Sequence, residues 1–286
     1  MIFVELILQG LIQGSIYALI AVGLTLVYGL LRILHIAHAA LFTLGAYLGL
    51  LITNATGSLA LGFLVAMVVV GVTGIAIYRF CYHAVLDQPP HVALIASVGL
   101  FIAMEEGFRL IWGPTSISFS EPPWQTAVVV AGIQVKTADL ITIPLAFLLI
   151  GGLAAIVAFT RIGLAWRATV TDPAMAGSFG IDALKVRYLN FFLGSALAAA
   201  AGVMFAILTN FVEPTMGGVP SYKALAIIVL GGLGNVRGTL IAALMLGVIE
   251  SFGTIYLGWA MDRDAIAFAF LILVLMVRPQ GLFVRS

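Results

Sequence analysis

Long runs without a single charge constrain this chain more than anything else in its sequence. Residues 6–31 contain no Asp, Glu, Lys or Arg, and neither do residues 33–78, 140–159 or 188–212. A helix needs ~20 mostly apolar residues to cross a bilayer, because the hydrocarbon core is ~30 Å thick and each residue rises ~1.5 Å. The polar break Thr53-Asn54-Ala55-Thr56-Gly57-Ser58 divides the second run into two spans. Four further segments are less regular. Residues 92–112 carry Glu105, Glu106 and Arg109, and residues 238–257 are interrupted by Glu250. Residues 224–236 and 265–277 are each 13 residues long and uncharged. The predicted fold is an all-α polytopic membrane protein of eight or nine transmembrane helices, with nine segments counted in all. The seventh segment, 224–236, contains Gly231-Gly232-Leu233-Gly234 and is expected to be a short or re-entrant helix. Broken backbone inside a membrane is tolerated only where protein or a water-filled cavity surrounds it.

Composition removes the alternatives. Of 286 residues, 63% are hydrophobic and 9% charged, against roughly 25% charged in soluble domains. So few charges cannot cover a soluble surface. A net charge of +1 provides no basic field for nucleic acid. Cys81 is the sole cysteine, which excludes a disulfide framework and a multi-cysteine metal site.

The Lys and Arg positions predict orientation. With the N-terminus outside and nine crossings, the inside holds Arg32, Arg79, Arg161, Arg167, Lys185, Arg187, Arg237, Arg278 and Arg285. The outside holds Lys136, Lys223 and Arg263. This asymmetry supports N-out and C-in. With no N-terminal Lys/Arg cluster and no clear small-residue cleavage site, the first run is expected to be a retained span. The small-residue-rich runs 10–29 and 230–253 read either as close-packing helix faces or as the trace of a duplication.

The inside loop, 160–187, is the most informative. Asp172 suits an N-cap, since its carboxylate can accept from free first-turn amides. Pro173 suits the first helical position, and Gly180 suits the left-handed residue that closes a helix. These signals bracket a short helix over 173–179. Met175 and Phe179, four apart, share one of its faces. Seven residues are too few for an isolated helix, which needs about 12–15 to be even marginally stable. The helix must pack on this chain's own helix ends or lay an apolar face into a partner's groove.

The pattern Thr160, Gly163, Ala165, Arg167, Ala168, Asp172, Ala176, Gly180, Ile181 resembles the cytoplasmic loop of permeases of the branched-chain amino acid ABC importer family. Three further landmarks resemble the same family in the same order. They are Gly10-Leu11-Ile12-Gln13-Gly14-Ser15-Ile16-Tyr17 in the first run, Val229-Leu230-Gly231-Gly232-Leu233-Gly234, and Arg278-Pro279-Gln280-Gly281-Leu282-Phe283. One stretch departs: His35-Ile36-Ala37-His38-Ala39 stands where the family usually has an Asn-Phe-Ala-His-Gly-like sequence.

The resemblance implies a single transmembrane permease domain over 1–286 in a bacterial inner membrane. It also implies an ATPase-coupling segment made of Arg167, Asp172, Met175, Phe179 and Gly180. The implied partners are a second homologous permease subunit, two ABC ATPase subunits that bind Mg-ATP, and a periplasmic substrate-binding protein. The implied cargo is branched-chain amino acids, although related permeases carry urea, amides or other small organic solutes. The sequence itself contains no G-x-x-x-x-G-K-[ST] loop, so no cofactor is expected on this chain. It shows no hydrolase motif, and its membrane carboxylates sit off-centre for an ion-coupled carrier.

The remaining polar residues have two readings each. His35 and His38 are candidates for the translocation path or for structural and gating roles at the inner mouth. Gly231, Gly232, Gly234 and Glu250 are candidate path residues, with close packing and a lone structural acceptor as the plainer readings. Glu105 and Arg109 suit an internal salt bridge or an entrance for a zwitterion. The outside loop, 113–139, with Pro114, Pro122, Pro123 and Trp124, reads as an interfacial cap, with an apolar stretch around Ala131-Gly132 that can form a hairpin. It also suits a landing platform for the binding protein.

Overall fold

The computed structural model describes residues 2–86, 88–130, 133–278 and 281–283. All nine hydrophobic segments are helical. They form α1 (Ile2–Leu31), α2 (His38–Thr56), α3 (Leu59–Ile77), α4 (Pro90–Trp112), α5 (Thr137–Phe159), α8 (Ala183–Thr209), α9 (Gly218–Gly231), α10 (Val236–Leu257) and α11 (Arg263–Val277). Two short helices, α6 (Arg161–Thr171) and α7 (Pro173–Ser178), fill the loop between α5 and α8. Among the described residues, six helices are long and apolar enough to cross a membrane: α1, α2, α3 with its extension to Tyr82, α5, α8 and α10. α4 is long but carries three charges, while α9 and α11 have 14 and 15 residues. Fourteen residues span about 21 Å, short of the hydrocarbon core.

Local chemistry sets the boundaries. α2 ends at Gly57, whose φ of +69° turns the chain, and Ser58 then caps α3 by accepting from the Leu61 amide. α3 passes into a π-helical turn, Tyr78–Tyr82. Proline opens α4 at its first position, where no amide partner is needed.

α1 is the axis of the molecule. From Ile16 to Val27 it is buried on all sides, packed mainly on α10 and α8. The two small-residue runs find each other here. A Cβ on Gly10 would lie 2.6 Å from the Val248 Cα, and one on Gly14 would lie 2.9 Å from the Leu244 Cα. On the other side of α1, a Cβ on Gly23 would lie 2.6 Å from the Gly194 carbonyl of α8. Bare backbones replace side chains at these crossings, which is how membrane helices approach without a hydrophobic driving force.

The loop over 113–139 closes over helix ends. Strands β1 (Ala127–Val130) and β2 (Ile133–Lys136) pair antiparallel, with Ala127 opposite Lys136. The predicted turn at Ala131-Gly132 lies outside the described residues, as do Pro279, Gln280 and Arg285. Ile117 and Val212 exchange both backbone hydrogen bonds, and Gln125 donates to the Ile207 carbonyl. The loop is thereby tied to the end of α8.

Candidate functional site

The loop between α5 and α8 is built from three successive caps. Thr160 accepts from the Gly163 amide at 3.1 Å and starts α6. Gly163 lies against the Val157 carbonyl, so α6 can fold back on α5. Asp172 accepts from the Ala174 and Met175 amides at 3.0 and 2.9 Å and starts α7. Asp182 accepts from the Leu184 and Lys185 amides and starts α8. Those amides, Lys185's first, hold the exposed Asp182 carboxyl below its ordinary pKa. The helix expected over 173–179 ends one residue earlier, at Ser178. Phe179 is its C-cap and Gly180 takes the left-handed turn at φ +80°.

The two readings of α7 separate at its side chains. Ala176 is buried and anchors the helix, while Met175 is 57% and Phe179 80% exposed. The Met175/Phe179 face therefore projects away from this chain, and Arg167 is exposed as well. How the loop is wired to the bundle is visible only in the folded chain. Trp166 on α6 donates its indole N–H to Asn190 Oδ1 at 3.0 Å, and Asn190 Nδ2 donates to the Leu26 carbonyl of α1 at 2.9 Å.

His35 and His38 are fully buried, with ring centroids 5.6 Å apart. His35 lies in the irregular turn before α2, so the two histidines do not share a helix face. His35 Nδ1 bonds the Tyr82 hydroxyl at 2.6 Å, and His38 Nε2 donates to the Ile20 carbonyl at 3.2 Å. Among the described residues, no three potential metal ligands come together.

The glycine segment forms the α9–α10 corner. Gly231 and Gly238 press backbone on backbone, and Gly232 and Gly234 hold φ of +91° and +84°. The chain's end closes this corner, with the Leu282 amide donating to the Leu230 carbonyl and Asn235 donating to the Phe283 carbonyl. Gly231 and Gly232 are buried.

Lys223, one of the three cations assigned to the outside, is 2% exposed and lies inside α9. Glu250 was expected to stand alone, but it is fully buried in an ion-pair cluster. Lys223 Nζ lies 2.9 Å from Glu250 Oε1 and 2.7 Å from Asp264 Oδ1, and it donates to the Tyr17 hydroxyl at 2.9 Å. Tyr17 in turn donates to Glu250 Oε2 at 2.8 Å, and Arg263 Nε reaches the same oxygen at 3.0 Å. Burial explains the arrangement: a lone ammonium or carboxylate in a dry interior is prohibitively costly, whereas a hydrogen-bonded group of both signs is tolerated. Glu105 and Glu106 both pair with Arg109, at 2.8 and 2.7 Å, on α4.

Six helices long and apolar enough to cross a membrane, with an exposed, capped helical segment on one loop and a buried ionic cluster among them, place the chain in the class of polytopic helical membrane proteins. The chain belongs to the family described as branched-chain amino acid transport system / permease component, which matches residues 6–277. It is 32% identical to the high-affinity branched-chain amino acid transport system permease protein LivH of Escherichia coli (strain K12), covering 99% of this chain and 96% of that protein. It is 28% identical to BraD of Pseudomonas aeruginosa at the same coverage, and 24% identical to LivM of E. coli over 93% of this chain and 67% of that protein. The solved structure of PsaBC from Streptococcus pneumoniae in complex with Fab shares the fold, with a TM-score of 0.51, 13% identity, and coverage of 97% of this chain and 92% of that one.

Proposed function

We propose that this chain is the transmembrane permease subunit of an ATP-driven importer that carries branched-chain amino acids inward across a bacterial inner membrane. It forms one permease domain with N-out, C-in topology. It pairs with a second homologous permease and receives cargo from a periplasmic binding protein at the loop over 113–139. Two separate ABC ATPases hold Mg-ATP and supply the energy. ATP binding draws the ATPases together, α7 follows them, and the spans alternate between outward-open and inward-open states.

The observation that carries this reading is α7. Six residues cannot hold a helix in water, yet this one is capped at both ends and turns Met175 and Phe179 outward. An apolar helix face held out from its own chain fits a groove on a partner. The inside cations support the orientation: Arg161, Arg167, Lys185 and Arg187 flank this same loop.

Phe179→Asp places a charge in that groove. We expect the ATPase subunits to stop copurifying with the permease pair while the permease chains still accumulate in the membrane. Unchanged assembly together with unchanged uptake rules out α7 as the docking element.

A further inference from the structure

The ionic cluster forms one wall of a cavity of about 550 Å³, within the ~300–1,000 Å³ typical of small-molecule sites. The lining is asymmetric. Lys223 and Arg263 are its cations, and Glu213 and Asp264 its carboxylates. Phe205, Phe211 and Met216 supply apolar surface.

The cluster's charges differ in how far they are committed. Lys223 is satisfied by Glu250, Asp264 and Tyr17. Arg263 uses only its Nε, on Glu250, and its side chain is 42% exposed. Its two terminal nitrogens carry no protein partner among the described residues, so their N–H donors remain available to a carboxylate. Glu213 forms no ion pair among the described residues. Its one side-chain hydrogen bond among the described residues is accepted from the Thr215 hydroxyl at 3.4 Å. An uncommitted guanidinium and an uncommitted carboxylate thus line one cavity with an apolar arc between helices.

We propose that this cavity is a cargo site for a zwitterionic amino acid with an aliphatic side chain. Arg263 receives the carboxylate, Glu213 receives the ammonium, and Phe205, Phe211 and Met216 take the side chain. Lys223, Glu250 and Tyr17 form the fixed floor that holds Arg263 in place through its Nε. This site rests on the importer reading above and assigns residues to its cargo. It also explains the choice of arginine at 263, since a lysine could pair with Glu250 but could not offer a second fork.

The test uses the complete assembly, with partner permease, ATPases and binding protein, reconstituted in proteoliposomes with radiolabelled leucine. Glu213→Gln disturbs no ion pair, and Arg263→Lys keeps the Glu250 contact. Each is expected to lower ATP-driven leucine uptake about tenfold, as loss of one charge-assisted contact predicts, with ATPase subunits still copurifying. A second measurement reads occupancy directly. In a Cys81→Ser background, Val219→Cys places a thiol on the cavity wall, and maleimide labelling of the assembly is followed. Leucine is expected to slow labelling, whereas 4-methylpentanoate and 3-methylbutylamine, each lacking one charge, are not. Wild-type uptake in both variants, or equal protection by all three compounds, overturns the site and leaves the importer reading intact. ATP hydrolysis without leucine movement in the wild type overturns the cargo reading, and this site with it.

Discussion

Lys223→Met tests the energetics of the buried cluster. The substitution fills much the same volume, but it removes an ammonium that is 2% exposed and sits within 2.9 Å of Glu250 and 2.7 Å of Asp264. The two carboxylates then fare differently. Asp264, with 42% of its side chain exposed, can turn to solvent at little cost. Glu250 has no exposed surface and retains only Arg263 at 3.0 Å and the Tyr17 hydroxyl at 2.8 Å. Breaking a buried pair by removing one partner costs ~3–5 kcal/mol, because the other charge is left poorly compensated. Arg263 remains, so the lower end, about 3 kcal/mol, is the expected loss.

Thermal unfolding of the purified chain in detergent measures this. At roughly 2–4 °C per kcal/mol for a chain of this size class, Tm should fall by about 6–12 °C. Adding Glu250→Gln to Lys223→Met should recover most of the loss, since the uncompensated charge is gone, giving a coupling energy of about 2 kcal/mol. A Tm unchanged in Lys223→Met, or two effects that simply add, would refute the claim that these charges depend on one another.

Three further expectations follow from local geometry. Asp172→Ala removes the carboxylate oxygen that accepts from both first-turn amides of α7 and should cost about 1 kcal/mol of local helix stability, read as faster proteolysis within 160–187 and weaker ATPase copurification. Gly202→Val forces a side chain into the Phe42 carbonyl of α2, so α2 and α8 must part; a loss of at least ~2 kcal/mol should appear as lower yield of monodisperse protein. Because Asp182's pKa is lowered in the folded chain, its contribution is present above its unfolded value and disappears as pH falls through the folded one. Hydrogen-exchange protection of the first turn of α8 should therefore be constant from neutral pH down to about 4 and decline only below it.

The sequence made some of this legible and concealed the rest, for physical reasons. Spans are local: twenty uncharged residues have few alternatives in a cell, so each hydrophobic segment could be read and each became a helix. Caps are local too, and Asp172, Pro173 and Gly180 announced α7 within one residue of its true end. The ionic cluster is not local. Tyr17 and Lys223 are 206 positions apart, and α1 meets α9 only through the folded bundle. Lys223 read only as an outside cation because the run of apolar residues begins after it. The available signal was Pro220, which suits a first helical turn and stands three residues before the lysine. The Trp166–Asn190–Leu26 relay was hidden in the same way, since neither a tryptophan nor an asparagine declares its partner.

The placement of small residues decides which parts of the bundle can move in the proposed cycle. At Gly10 and Gly14 there is no room for even a methyl group between α1 and α10, and at Gly23 none between α1 and α8. Backbones in such contact cannot slide without losing the packing that holds them together. The Tyr17–Glu250 bond adds a polar pin between α1 and α10. These three helices therefore form a stiff unit, and Asn190 attaches the α6–α7 loop to it at the Leu26 carbonyl. A pull on α7 reaches α1 through two hydrogen bonds and a buried helix rather than through flexible loop. The ionic cavity sits at the edge of that unit, where α1 and α10 meet α9 and α11, and the clamp across that edge includes Arg263 on the half-exposed start of α11. A site at the border between a stiff unit and a loosely held helix is where a rocking motion changes access most for the least repacking.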